Sequence, residues 1–141
     1  MRAKEYLKKL WELNRDIDRK QSNLDQLREM STRVKGYAYD KERVQTSARN
    51  TSEDLIIKII DLERDITEEI DTYVDYNVKV SSQIEEMENT HYRDILFKRY
   101  VLGESFKAIT TELHLSYDHV RHLHGYALLE FEKKFFKVDT Q

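Results

Sequence analysis

The sequence contains no cysteine and no proline, and it has only three glycines, at positions 36, 103 and 125. Without cysteine the chain forms no disulfide and offers no thiolate to a metal, which favours a reducing compartment. Helix-breaking residues are scarce, and 36% of the residues are charged. Such a composition indicates a chain that is mostly helical. We therefore expect an all-α protein.

Long hydrophobic runs are missing as well. No apolar stretch approaches the roughly 18 residues that a membrane-spanning helix requires, and "MRAKEYLKKLWEL" lacks the core of a signal peptide. Neither a phosphate-binding loop nor a nucleophile with a placed base can be found. We expect a cytoplasmic protein that is not an enzyme, needs no cofactor and does not bind a membrane.

Charge is unevenly distributed along the chain. The net charge is −3, yet residues 89–141 carry 8 basic and 7 acidic side chains. All five histidines also lie there, at positions 91, 114, 119, 122 and 124. The C-terminal third is therefore the more basic part, although charge alone indicates nucleic-acid binding only weakly.

An apolar seam with steps of three or four residues predicts a first helix that spans about residues 3–30. Its members are Tyr6, Leu10, Leu13, Ile17, Leu24 and Leu27. Lys20 takes one position of the seam. Its aliphatic stem can extend along the apolar surface, or it marks an exposed stretch.

A second seam predicts a helix that spans about residues 52–88, with Asn50 or Thr51 as its N-terminal cap. Its members are Leu55, Ile59, Leu62, Ile66, Ile70, Tyr73, Asn77, Val80, Ile84 and Met87. Asn77 is the polar member, of a kind that fixes register or oligomeric state. Two helices with one seam each must pair, so we expect a long antiparallel hairpin over residues 1–88 and a homo-oligomer formed through it.

The connector predicted between these helices, residues 31–51, allows two interpretations. It has five basic side chains, Arg33, Lys35, Lys41, Arg43 and Arg49, interleaved with Tyr37 and Tyr39. The favoured interpretation is a polar connector that turns at Gly36. The alternative is a second surface that contacts a phosphate backbone.

Residues 89–141 follow a different pattern, which predicts a helix-turn-helix domain. Tyr92, Ile95, Leu96, Tyr100 and Val101 share one face of a helix, which Gly103 ends in a left-handed conformation. Ser105 caps a short helix whose inward residues are Phe106, Ile109 and Leu113. His114 ends this helix, Leu115 fills the turn and Ser116 caps the third helix.

The third helix has two faces that predict different roles. Its core stripe is Val120, Leu123, Ala127, Leu128 and Phe131. Polar and aromatic side chains near its start lie off that stripe and can reach the major groove. The residues predicted to contact DNA are Ser116, Tyr117, Asp118, His119, Arg121 and His122, together with Lys107 on the preceding helix.

Two further features of the third helix leave alternatives open. Gly125 in mid-helix is either a tolerated weakness or a point where another helix passes close by, and the second interpretation is slightly favoured. His119, His122 and His124 do not share one helix face, so a metal site is disfavoured.

The stretch "RDILFKRYVLGESFKAITTELHLSYDHVRHLHGYALLEFE" resembles the sigma-70 region 4-like domain of phage transcriptional regulators of the RinA and ArpU type. The matching residues are Arg99-Tyr100, Gly103-Glu104-Ser105-Phe106, Ile109, Leu113, Leu115-Ser116, Val120, Leu123-His124-Gly125 and Ala127-Leu128. "YDKERVQTSARNTSEDLIIKIIDLERDI" resembles the middle of the same proteins. Thr110 and Thr111 depart from the family, which usually has a small alanine at this point.

The resemblance implies a sequence-specific regulator that binds double-stranded DNA in the bacterial host cell and activates late phage genes. The alternative is a sigma-like adaptor that docks on RNA polymerase or another protein without reading DNA. The mild charge of the C-terminal third keeps this alternative open.

Overall fold

The computed structural model describes the backbone of residues 1–40 and 45–136 and the side chains of residues 1–33 and 52–136. Within these ranges the chain is helical and contains no strand, so the expected all-α class is confirmed. The helices are α1 (Arg2–Asp40), α2 (Gln45–Glu85), α3 (Thr90–Leu96), α4 (Phe106–Leu113) and α5 (Tyr117–Phe135), with a π-helical turn at Phe97–Val101. None of them combines the length and apolar character that a membrane crossing requires.

Both long helices extend further than the sequence pattern predicts. α1 continues to Asp40, and α2 already begins at Gln45. Most of the predicted connector is therefore helix, and Asn50 and Thr51 lie inside α2 instead of capping it. The physical reason is that this stretch is polar but has no proline and a single glycine, and polarity alone does not end a helix.

The proposed second phosphate contact on this stretch lies mostly outside the described residues. Of its five basic side chains, only that of Arg33 is described. It forms an ion pair of 2.6 Å with Glu29 on its own helix. Such exposed pairs four residues apart add a few tenths of a kcal/mol to helix stability.

The described chain packs as two units. Unit 1 comprises Met1–Leu13 and Tyr73–Gln141, and unit 2 comprises Asn14–Thr72. The first turns of α1 and the last turns of α2 thus belong with the C-terminal helices. The predicted division into domains after residue 88 stays a prediction.

In unit 2, Leu24, Leu55 and Ile66 are buried. Lys20, which was expected to snorkel or to mark an exposed stretch, forms ion pairs with Asp65 (2.7 Å) and Glu69 of α2. Hydrogen bonds to these two carboxylates raise the pKa of Lys20. The polar position in the first seam is therefore matched by acidic partners on the second helix.

Unit 1 has a core to which five elements contribute, α1, α2, α3, the π-helical turn and α5. Its fully buried side chains include Leu7 of α1, Ile84 of α2, Tyr100 of the π-helical turn and Phe131 of α5. Polar contacts also join α1 to α2, because the Tyr6 hydroxyl donates to Gln83 Oε1 at 2.6 Å and the Tyr76 hydroxyl donates to the Tyr6 carbonyl at 2.5 Å. The start of the chain is therefore part of the same core as its last helix.

The helix predicted to run through Val101 consists of two parts. α3 ends at Leu96, and the π-helical turn follows, in which the Leu102 N–H donates to the Phe97 carbonyl at 3.0 Å. The Glu104 N–H then donates to the Lys98 carbonyl at 2.9 Å. Gly103 has a φ of +71°, so the predicted left-handed ending is confirmed.

Gly125 has no close neighbour among the residues that the structure describes. A Cβ atom built on it meets no heavy atom within 4 Å, other than the backbone of its own helix and its chain neighbours. The interpretation that another helix of this chain passes close by is therefore wrong. The sequence pattern suggested a packing reason for the glycine, but the core of α5 lies on the opposite side of the helix.

The two glycines of unit 1 give opposite expectations for alanine substitution. Gly125→Ala should raise the free energy of unfolding by about 0.5–1 kcal/mol, because alanine is the better helix former and the site is open. Gly103→Ala should lower it by roughly 1 kcal/mol, because alanine at positive φ is strained. Urea denaturation of both variants checks the signs. Equal effects of the same sign would contradict the assignment.

Candidate nucleic-acid interface

Serine caps define the starts of α4 and α5, and a left-handed residue followed by Leu115 forms the connection between the two helices. Ser105 Oγ accepts the Ala108 N–H at 3.1 Å, and Ser116 Oγ accepts the His119 N–H at 3.1 Å. His114 closes α4 with a φ of 57°, and the half-buried Leu115 follows. The predicted caps and the predicted end of α4 are confirmed. Two serines thus satisfy N–H groups that would otherwise lack partners at the helix starts.

A small apolar cluster fixes α4 against α5. Ile95 of α3, Ile109 of α4 and Val120 of α5 are fully buried in it. Four partly buried side chains surround these three: Phe106, Leu113, Leu115 and Leu123. The direction of α5 is therefore set by side chains from three helices.

The two faces of α5 separate as the sequence pattern predicts. Val120, Ala127, Leu128 and Phe131 are buried, and Leu123 is half-buried. The residues predicted to contact DNA are exposed: Ser116, Tyr117, Asp118, His119, Arg121 and His122 at the start of α5, and Lys107 on α4. The structure thus places six of them on one exposed helix start, while their role in binding stays a prediction.

The exposed side chains of this surface are partly ordered by contacts. The Tyr117 ring meets the Phe106 ring edge-on at 6.4 Å, and the guanidinium of Arg121 lies 6.0 Å from the Tyr117 ring centre. His122 Nδ1 lies 2.7 Å from the Asp118 carbonyl. Because a carbonyl only accepts, Nδ1 carries the hydrogen, and Nε2 points away from this bond as an acceptor, or as a donor when the ring is protonated.

This arrangement can bind an anion and read hydrogen-bonding groups. The start of α5 carries the positive end of the helix dipole, with Arg121 and Lys107 as full positive charges. Arginine can donate two hydrogen bonds to guanine or hold a phosphate, and the histidines and Tyr117 can accept or donate. Asp118 is the one acidic side chain among the seven.

Arg99 is a structural residue whose role the sequence pattern did not indicate. Its guanidinium lies between two rings, 4.9 Å from that of Trp11 and 4.3 Å from that of Phe106. Its Nη1 donates to the Glu104 carbonyl at 3.0 Å, and its own carbonyl accepts the Trp11 indole N–H at 3.2 Å. Arg99 therefore fixes the loop before α4 to the first turns of α1. Since the partners are distant in sequence, no local pattern could have shown this.

A second cluster connects Trp11 with α5 through Tyr100 and His124. The Trp11 and Tyr100 rings stack at 5.0 Å, and the Tyr100 hydroxyl lies 2.7 Å from His124 Nε2. The Phe106 ring meets His124 edge-on at 4.9 Å. His124 thus packs between α4 and the π-helical turn, whereas His119 and His122 are exposed.

Burial lowers the pKa of His124 to about 4, and the positive charges of Arg99 and Lys4 act in the same direction. Burial likewise raises the pKa of Tyr100 to about 12. Both side chains of this hydrogen bond are therefore neutral at pH 7. The described residues contain no group of three or more His, Asp or Glu side chains arranged to hold a metal ion.

The two threonines that depart from the family pattern occupy different environments. Thr111 Oγ1 donates to the Lys107 carbonyl at 3.2 Å on its own helix. Thr110 Oγ1 is buried and has no hydrogen-bond partner. A buried hydroxyl without a partner destabilises the fold by about 1–3 kcal/mol. Position 110 is therefore the one at which alanine would fit the packing better.

Comparisons of the chain with protein-family models, with curated proteins and with solved structures found no match. The resemblance to phage regulators of the RinA and ArpU type thus stays a prediction.

Acidification should destabilise the protein through His124. Its pKa in the folded state, about 4, lies below its ordinary value of 6.5, so the unfolded chain binds the proton first. Stability due to this residue is complete above pH 6.5 and falls towards pH 4, by at most about 3 kcal/mol. Urea denaturation at several pH values, compared with a His124→Gln variant, isolates this contribution from the other titrating groups. Identical pH profiles of the two proteins would contradict it.

Proposed function

We propose that the protein is a sequence-specific DNA-binding transcription regulator, and that it activates phage late genes as regulators of the RinA and ArpU type do. The observation that carries this proposal is the two-faced α5. Its apolar side is fixed by the core, while Tyr117, His119, Arg121 and His122 are exposed at its capped start. A recognition helix needs this combination of a rigid position and an exposed polar start.

In this proposal α4 and α5 form a helix-turn-helix of the sigma region 4 type. Support comes from the turn between Leu113 and Tyr117, from the two serine caps, and from the cluster that contains Ile109 and Val120. The preceding helices α1 and α2 form an antiparallel hairpin. The contacts of Tyr6 with Tyr76 and Gln83, and of Lys20 with Asp65 and Glu69, support such a pairing within each unit.

Each exposed side chain has a distinct proposed role on DNA. Arg121 reads guanine through two hydrogen bonds, and Tyr117 packs against a base or the sugar-phosphate backbone. His119 and His122 donate or accept at base edges, and Lys107 on α4 contacts a phosphate. Ser116 fixes the helix start, whose N–H groups favour a phosphate. The Asp118 carboxylate can accept a hydrogen bond from the amino group of cytosine, which contributes to specificity.

The alternative is a sigma-like adaptor that docks on RNA polymerase without reading DNA. The observation that favours it is charge, since the whole chain has a net charge of −3 and residues 89–141 carry only one excess positive charge. Affinity for DNA depends strongly on the neutralisation of phosphates by basic side chains. A weakly basic domain therefore gains little affinity for DNA from electrostatic attraction.

Self-association through the long helices stays a prediction. Several members of the two seams, among them Leu10, Leu24, Ile66 and Val80, are buried within the chain. Asn77, which could have fixed an oligomeric register, accepts a hydrogen bond of 3.2 Å from Ser81 on its own helix. Ile70 of the second seam is exposed, however, as are Ile56, Ile57, Ile60, Val74 and Val78 elsewhere on α2.

The two faces of α5 should respond differently to substitution. A Tyr117→Ala/Arg121→Ala variant should keep its melting temperature within a few degrees and lose specific DNA affinity, by about 1–3 kcal/mol for the arginine. Val120→Asp should unfold unit 1, since an unpaired buried carboxylate costs several kcal/mol against a total stability of roughly 5–15 kcal/mol. The measurements are thermal unfolding and titration with DNA that flanks the gene.

Arg15→Ala is the matched control, because Arg15 is an exposed arginine of unit 2. It should change the affinity for specific and non-specific DNA equally, if at all. Full specific binding by a folded Tyr117→Ala/Arg121→Ala variant would refute the recognition role of α5. If the wild type binds RNA polymerase but no DNA, and the Tyr117→Ala/Arg121→Ala variant no longer binds polymerase, the adaptor is favoured.

A further inference from the structure

The solvent-facing side of α5 is apolar at its centre and charged at its ends. Tyr126 is 54% exposed and Leu129 is 52% exposed, and Gly125 lies beside them. The residues at the two ends of this side are Asp118 and Lys133, both exposed. At 100° per residue, one stripe lies opposite Val120 and Ala127, and its members are Asp118, His122, Gly125, Leu129 and Lys133, with Tyr126 at its edge.

Among the described residues, no packing contact explains the glycine at the centre of this stripe. Glycine weakens a helix interior, and it is retained there when a backbone or another helix approaches closely. As far as the chain is described, the space beside Gly125 is open. A helix of another molecule can therefore approach α5 at this position, with Tyr126 and Leu129 on either side of the contact.

We propose that this stripe of α5 binds the same stripe of a second copy of the chain, with the two helices antiparallel. The pairs Asp118 with Lys133, His122 with Leu129, and Gly125 with Tyr126 are each centred on the same point of the helix. A two-fold axis through that point places Asp118 of each copy opposite Lys133 of the other. Each Tyr126 then packs over the Gly125 of its partner, and each Leu129 packs beside His122.

The opposite charges at the two ends of the stripe make it complementary to a second copy of itself. They also determine the antiparallel direction. Two parallel α5 helices would place Asp118 beside Asp118 and Lys133 beside Lys133, whereas the antiparallel pair joins opposite charges twice. Exposed apolar side chains also lie on α2, at Ile56, Ile57, Ile60, Ile70, Val74 and Val78. Substitution of Ile57 therefore serves to separate that surface from the stripe on α5.

The composition of the stripe suits a small, reversible interface. Tyrosine at the centre contributes a large contact area at little loss of conformational freedom, and the charged ends form a polar rim. One helix face buries less surface than a standard stable interface. We therefore expect a dimer that forms at micromolar or higher concentration.

The stripe shares residues with the surface proposed to bind DNA, and this consequence rests on the proposed function. Asp118 and His122 belong to both surfaces, and Arg121 lies beside the stripe. A dimer through α5 would thus cover the recognition residues. Self-association and DNA binding would then exclude each other, so that dissociation is needed before the regulator can bind its site.

Sedimentation velocity of the full chain from roughly 1 to 100 µM tests the interface. We expect a concentration-dependent monomer–dimer equilibrium. Leu129→Ser and Gly125→Leu should each raise the dimer dissociation constant about tenfold or more, with circular dichroism confirming the fold. Ile57→Ser is the matched control, because Ile57 is 57% exposed on α2, and it should leave the equilibrium unchanged.

Charge reversal provides an independent test of the antiparallel pairing. Asp118→Lys and Lys133→Asp should each weaken the dimer, and the combined variant should recover most of the lost affinity, because the opposite charges again face each other. A combined variant as weak as the sum of the two single variants would overturn the proposed direction. A strict monomer at all concentrations, or dissociation by Ile57→Ser but not by Leu129→Ser, would overturn the interface.

The link to DNA is measured separately, by fluorescence anisotropy of labelled DNA. Leu129→Ser should bind DNA more tightly than the wild type at concentrations where the wild type is dimeric, and equally at lower ones. A ternary complex of dimer and DNA would overturn mutual exclusion. If the wild type dimerises as expected but binds no DNA, the proposed function fails while the α5 interface stands.

Discussion

The buried apolar contact between the start of α1 and the far end of α5 is the constraint on which unit 1 depends. Leu7 and Leu10 of α1 pack in one cluster with Ile84 of α2 and Phe131 of α5. Each such side chain contributes about 1.5–3 kcal/mol when it is fully removed from water. α5 is 19 residues long, and a helix of this length gains most of its stability from packing its apolar face. Its position, and with it the position of the exposed residues at its start, therefore depends on α1.

Arg99 and Tyr100 transmit this constraint to α4. The π-helical turn directs Tyr100 into the core, while the guanidinium of Arg99 lies between Trp11 of α1 and Phe106 of α4. Cation–π contacts of this kind contribute about 0.5–2 kcal/mol each, with the larger values for buried pairs. Phe106 in turn supports Tyr117, the first residue of α5. A rigid chain of packed rings thus leads from the first helix to the proposed DNA-reading surface.

The features predicted correctly from the sequence are those that depend on neighbouring residues. Ser105 and Ser116 cap helices because their hydroxyls reach N–H groups three residues on, and Gly103 turns left-handed because it lacks a Cβ atom. The helix ends predicted near residues 30 and 52 are wrong, because a polar stretch with no proline and a single glycine does not end a helix. The roles of Arg99, Trp11 and Lys20 could not be predicted, since their partners are brought close only by the fold. For the candidate site, the exposed face of α5 follows from helical periodicity, whereas its ligand does not.

The hydrogen bond from the Ala3 N–H to Glu132 Oε1, at 2.9 Å, joins residues 129 positions apart in the chain. A chain is synthesised from its N-terminus, and contacts between distant residues slow folding because a long loop must close. The core around Leu7 and Leu10 is therefore incomplete until Phe131 has been synthesised, even if α2 has already packed against α1. During that interval the apolar surface that α5 will cover is open to water, which favours aggregation or capture by a chaperone.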